Sequence, residues 1–152
     1  MINNQDNEQA QRIVQQMMEE DAFSRWLGIE IIEIAAGKAV LKMKIRDEML
    51  NGFKLSHGGI VFSLADSALA FASNSRGRLA LALENNISYF EKIENGDELT
   101  AVATELNLTN RTGTYQVEVT NQNNTKVAFF KGTVYRTPKE YLKSDNDKEN
   151  NE

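Results

Sequence analysis

Residues 59–75 contain no proline and are rich in Ala, Leu and Ser, so a helix of roughly four to five turns is expected there. Its apolar residues, Ile60, Val61, Phe62, Leu64, Ala65, Leu69, Phe71 and Ala72, run almost all the way round. A helix apolar on nearly every side is normally buried. The rest of the chain must therefore wrap it. Asp66 is the only charge between Lys54 and Arg76, and a carboxylate midway along a buried helix is costly unless it is bound or used. Ser63, Asp66, Ser67, Ala70 and Asn74 share one face by helical spacing, and all are small or polar.

Strands supply the wrapping. Residues 29–35 and 38–46 alternate apolar and polar around Ala36-Gly37, a β-hairpin pattern. After the helix come candidate strands at 79–90, 99–108, 115–120 and 127–136, separated by turn-forming Asn95-Gly96-Asp97, Arg111-Thr112-Gly113 and a loop over 121–125. The order is β-β-α-β-β-β-β, and the later links are of hairpin length, which argues for antiparallel pairing. The expected fold class is α+β: a curved antiparallel sheet around one long central helix. Residues 9–26 read as an extra amphipathic N-terminal helix ended by Gly28. Residues 1–8 read as polar and frayed, Pro138 as the end of the ordered part, and KSDNDKENNE as a disordered tail. One domain over 1–152, with an ordered core of about 9–138, follows from length and pattern.

Composition removes several chemistries. With no cysteine, disulfides, thiolate nucleophiles and Cys-based zinc sites are excluded, and a single histidine makes a His-rich metal site unexpected. No metal and no cofactor are expected. The net charge of −5 sits in the ends, and the middle of the chain is neutral, with no basic stripe for nucleic acid. No apolar run reaches membrane-spanning length and no basic-then-apolar leader is seen, so no membrane association and a cytoplasmic location are expected.

The helix start carries the second chemical signal. His57-Gly58-Gly59 places two glycines where a helix shows unpaired N–H groups and the positive end of its dipole. Without a Cβ, a ligand oxygen approaches the backbone closely, which suits a carbonyl oxygen that becomes anionic during reaction. The same glycines also suit a tight entry turn with His57 packed beside it. Gly58 and Asp66 lie eight residues apart on one helix, roughly 12 Å at about 1.5 Å per residue. Both cannot reach one carbonyl, since a base and an oxyanion donor each need to lie within roughly 3 Å of the reacting group. Two antiparallel copies of the helix, approaching by the small face at Ser63, Ser67 and Ala70, would set Asp66 of one beside Gly58 of the other. An obligate homodimer with two shared sites is the inference.

The run N-x5-HGG-x5-AD-x-A-x-A-x-A-x-N-S-x-G, from Asn51 to Gly77, resembles the hotdog-fold acyl-CoA thioesterases, and MLNG-x4-HGG-x2-FSLAD-x-A resembles their phenylacetate-degradation type. The resemblance extends over about residues 21–136. It implies the hotdog fold, dimers often paired into tetramers, and hydrolysis of an acyl-CoA substrate, with an aromatic acyl group of the phenylacetyl or hydroxyphenylacetyl kind. By resemblance, the Gly58 N–H holds the oxyanion, Asp66 acts as general base or nucleophile, Asn51 orients water or the acyl group, and His57 positions the loop or bonds near the sulfur. Asn51 equally suits a turn residue in Asn51-Gly52, and His57 a histidine satisfied by backbone. Gly59, with Phe53 and Phe62 flanking the glycines, is assigned to substrate binding, although both rings also suit the core. Some relatives hold the water with a Ser or Thr early in the following strand; here LALALEN carries Ala80 and Ala82, leaving Asn85 or Asn86 as substitutes. Arg76, Arg78, Lys92, Arg111, Lys131 and Arg136 are the cations available for the CoA phosphates, and none is singled out. A hotdog enoyl-thioester hydratase or dehydratase, or a non-catalytic acyl-CoA-binding protein, are the alternatives; retained Asp66 and the HGG-x5-AD spacing favour hydrolysis.

Overall fold

The computed structural model describes residues 3–142. The central helix, α3 (Gly58–Asn74), is covered on most sides, and Val61, Leu64, Ala65, Ala68, Leu69, Phe71 and Ala72 are all buried. Around it lie six strands: β1 (Glu30–Ala35), β2 (Lys38–Lys44), β3 (Arg78–Tyr89), β4 (Glu98–Leu108), β5 (Thr112–Thr120) and β6 (Lys126–Glu140). They form one sheet in the order β1-β2-β4-β5-β6-β3, with every neighbouring pair antiparallel. Period-two patterning does this work. In β5 buried and half-buried residues alternate without a break, so Tyr115, Val117 and Val119 point at the helix. Small inward residues (Ala39, Ala101, Ala103, Ala128) let the helix lie close against the sheet. Five strands, β2 to β6, touch α3, while β1 lies beneath the N-terminal helix.

Three local expectations are corrected. Residues 4–8 are helical, because α1 (Asn4–Glu20) starts early with Asn3 as its N-cap. The expected single N-terminal helix is two, since Asp21 stops α1 and caps α2 (Ala22–Leu27) by accepting from the Ser24 N–H at 2.9 Å. Pro138 does not end the ordered part; β6 runs on to Glu140. By then β5 has ended, opposite Tyr135, and β6 pairs only with β3 across a bulge between Arg78 and Ala80, where a missing N–H is tolerated. The polar tail expected at 143–152 lies outside the described residues.

The two sheet edges differ. β3, an unpaired edge of twelve residues, presents Leu81 and Leu83 at 56% and 63% exposure. Long apolar edges are normally shielded or paired. Among the described residues, no helix is long and apolar enough to cross a membrane.

Candidate active site

Asn51 builds the entry to α3. Its N–H donates to the Leu55 carbonyl at 2.7 Å, and its Oδ1 accepts from the Phe53 and Leu55 N–H groups at 2.9 and 3.3 Å. This side-chain-held turn, with Lys54 at φ 61°, delivers His57 to the N-cap of the helix. His57 Nδ1 accepts from the Gly59 N–H at 3.1 Å. Nδ1 is thus an acceptor, and the neutral ring carries its proton on Nε2. The Gly58 N–H donates to no group among the described residues. The Gly58 carbonyl accepts from the Tyr89 hydroxyl at 2.7 Å, and a Cβ on Gly58 would lie 3.0 Å from that oxygen. So the missing Cβ at Gly58 already seats Tyr89 of β3, a contact the sequence pattern did not reveal.

Two turns along α3, Asp66 is half-buried on the face that meets β3. Its Oδ1 accepts from Asn85 Nδ2 at 2.9 Å, and its Oδ2 has no hydrogen-bond partner among the described residues. Burial raises the carboxyl above the ordinary aspartate value; the Asn85 bond opposes this, and the negative charge of Asp21 adds to it. Of the two asparagines that the sequence offered, Asn85 is the one that hydrogen-bonds Asp66. Strand alternation alone did not choose between them, because a register shift between Ala82 and Glu84 resets which side chains face inward. Asn85 pairs with Gly132 on β6, where a Cβ would stand 2.7 Å from Asn85 Oδ1 and 2.6 Å from Leu69 Cδ2. Gly132 thus makes the room through which Asn85 reaches Asp66.

The small-residue face is less open than its composition predicts. Ser67 Oγ lies 2.8 Å from Ser24 Oγ, which donates to Asp21 Oδ2 at 2.6 Å; Ser24 has one proton, so Ser67 is the donor to Ser24. This buried chain ties α2 onto α3. Asn74 is likewise consumed, bonding the Ala70 carbonyl and both backbone groups of Ala80. Only Ser63, Asp66 and Ala70 of that face stay partly exposed.

His57, Gly59, Ile60 and Ser63 line one cavity of about 280 Å³ together with Phe23, Met49 and Leu50. Neither Phe53 nor Phe62 lines it. Phe53 is 86% exposed in the Asn51 turn, and Phe62 sets its edge on Phe130 at 5.3 Å between ring centres. A larger groove of about 730 Å³, between α1, α2 and β1, contains none of the candidate catalytic residues. Of the candidate cations, Arg76 is paired with Glu105 at 2.8 Å, and Arg78 and Arg136 bond backbone carbonyls of the turn between β4 and β5. The side chains of Lys92, Arg111 and Lys131 form no hydrogen bond or ion pair among the described residues.

Among the described residues the protein thus offers an N–H without a partner at a helix start and, two turns on, a half-buried carboxylate held by one amide. Comparison with known proteins gives this pairing a family. The model of the thioesterase superfamily matches residues 53–128, which contain every one of these groups. The chain is 42% identical to the acyl-coenzyme A thioesterase PaaI of Escherichia coli K12, over 79% of this chain and 86% of that protein. It is also 42% identical to a putative esterase of Archaeoglobus fulgidus, over 89% and 88% of the two chains. The solved structure of the E. coli PaaI protein from the phenylacetic acid degradation operon superimposes with a TM-score of 0.86 at 39% identity, covering 88% of this chain and 97% of that one. The chain belongs to the thioesterase superfamily, and its antiparallel sheet wrapped on one helix is the hotdog fold.

Proposed function

We propose that this thioesterase hydrolyses an aromatic acyl-CoA, of the phenylacetyl or hydroxyphenylacetyl type, at two sites shared across a homodimer. Acyl-CoA thioester hydrolysis is supported by the kinship to PaaI; the aromatic acyl group rests on that relative's name and operon. The observation that carries the chemistry is Asp66: one carboxylate oxygen is held by Asn85 while the other has no partner among the described residues, in surroundings that raise its basicity.

The thioester carbonyl docks on the Gly58 N–H of one subunit, where the helix end stabilises the developing oxyanion. Asp66 of the partner subunit takes a proton from water, whose oxygen attacks the carbonyl carbon. Collapse of the tetrahedral intermediate breaks the C–S bond, and the proton passes to the departing CoA sulfur. His57, with its proton on Nε2, donates a hydrogen bond near that sulfur in this reading, and Asn51 holds the turn that leads to it. Gly59 contributes its close backbone. The dimer reading is supported by the apolar unpaired edge of β3, which directly follows α3: pairing two β3 strands about a two-fold axis runs the two helices antiparallel.

The test is release of free CoA from phenylacetyl-CoA, hexanoyl-CoA and crotonyl-CoA by wild type and Asp66→Asn. Hydrolysis is expected from wild type, with Asp66→Asn lower by at least ~100-fold, the scale for losing a general base. Hydration of crotonyl-CoA without CoA release, or a fully active folded Asp66→Asn, overturns the reading.

A further inference from the structure

The short helix α2 carries an exposed aromatic pair that neither the fold nor the hydrolytic step requires. Phe23 and Trp26 are 52% and 50% exposed and stack at 6.0 Å between ring centres, 13° from parallel. Exposed aromatic rings usually sample several rotamers. Here one of them is fixed. The Arg46 guanidinium lies 5.3 Å from the Trp26 ring, within cation–π range. Arg46 is itself locked: it donates to the Trp26 and Leu27 carbonyls at 2.8 and 2.9 Å and pairs with Glu48 at 2.7 Å. Gly28, at φ 76°, makes room for it, since a Cβ there would stand 3.2 Å from Arg46 Nη1. Beneath the pair, the buried bond between Ser24 and Ser67 ties α2 to the catalytic helix.

The pair sits at the wall of the cavity that the helix start opens into. Phe23 lines that cavity together with His57, Gly59, Ile60, Met49, Leu50 and Glu48, the carboxylate that pairs with Arg46. The lining therefore combines the hydrogen-bonding groups of the helix start with one aromatic ring, which is backed by a second ring and a cation. We propose that Phe23 is the specificity residue of this site, stacking against a flat apolar acyl group, and that Trp26 and Arg46 are positioning residues that hold its ring in place. This deepens the reading of the site as an acyl-CoA hydrolase and rests on it. It also assigns the acyl wall to α2, whereas Phe53 and Phe62 are the aromatic residues that the sequence places beside the glycines.

The chain has one tryptophan, so fluorescence reports occupation of this wall separately from turnover. In Asp66→Asn, whose turnover is expected to be slower by at least ~100-fold, phenylacetyl-CoA is expected to change Trp26 emission more than hexanoyl-CoA or free CoA does. Adding Phe23→Ala is expected to weaken phenylacetyl-CoA binding by at least ~10-fold and hexanoyl-CoA binding by no more than about threefold, the scale on which an apolar pocket discriminates. Phe23→Leu, which keeps bulk without a ring, should recover less than half of the loss on a logarithmic scale. Phe23 is half-exposed, so both variants are expected to fold, as far-UV circular dichroism will check. Equal losses for the two acyl groups, no loss for either, or no binding of phenylacetyl-CoA overturns the proposal. Absence of CoA release by wild type overturns the hydrolytic reading instead, and the binding comparison is read independently of it.

Discussion

Gly132→Ala tests whether the amide that holds Asp66 is part of the machinery. Gly132 has no positive φ, so alanine is tolerated by the backbone there and the whole effect is steric. The new methyl would stand 2.6 Å from Leu69 Cδ2 and 2.7 Å from Asn85 Oδ1. Comfortable carbon contacts are about 3.5–4.0 Å, so a neighbour must move by roughly 1 Å. Leu69 is 1% exposed with the core behind it; Asn85 is half-buried and yields first. Overpacking of this kind costs about 1–3 kcal/mol, and a domain of this size loses roughly 2–4 °C in Tm for each of those. Withdrawing Asn85 removes a hydrogen bond to a charged group, worth about 1.5–3 kcal/mol, or roughly 10- to 150-fold in rate if it acts in the transition state. CoA release measured at a temperature where thermal melts show every variant folded separates the two effects. Asn85→Ala should show a similar rate loss, and the double variant should be no slower than Asn85→Ala alone, because both lesions act through one contact. A folded Gly132→Ala with wild-type kcat, or losses that multiply in the double variant, refutes the role given to Asn85.

The raised carboxyl of Asp66 also makes linked predictions about pH and stability. As the base must be ionised, kcat/KM should rise with pH through an acidic limb above the ordinary aspartate range, and Asn85→Ala should move that limb higher still, since the amide favours the charged form. A folded-state value above the unfolded reference of 3.8 means that the native protein binds the proton more tightly; stability is therefore lost as pH rises through that window. Asp66→Asn should then melt above wild type at neutral pH, with the gap closing below the reference value, as thermal melts across pH will show; a lower Tm at neutral pH contradicts the burial argument.

Most of the fold was legible because its signals are local. The all-round apolar pattern of 59–75 demanded a wrapped helix, and period-two alternation marked six strands, all of which form. What escaped were competitions between neighbours. Asp21 looks like one more polar residue on a helical surface, yet its side chain ends one helix and caps the next. Pro138 looks like a strand stop, but only because sequence does not show that β6 has lost one partner there. At the site, the carboxylate and the helix start stand out through residue types alone. Asn85, Tyr89 and Phe23 do not, since each acts by long-range register or by α2 folding back on α3, which periodicity does not encode. Gly132 carried a faint signal: a glycine within a strand often marks a close approach.

Mixed dimers test whether each site is shared between two subunits. Gly58→Pro removes the proposed oxyanion donor at the first helical position, where proline is well tolerated, and His57 already has the extended backbone (φ −60°, ψ 133°) that a residue before proline needs. Pairing it with Tyr89→Phe removes the hydroxyl that a ring at position 58 would crowd. Asp66→Asn supplies the complementary lesion. Each variant homodimer should be nearly inactive. In a mixed dimer one site collects both lesions, and the other receives an intact Gly58 N–H and an intact Asp66. Co-refolded mixtures are therefore predicted to regain CoA-releasing activity, approaching half the wild-type value per mixed dimer. Mixtures shown by mass spectrometry to contain well-folded mixed dimers, yet no more active than the parent variants, would contradict the account.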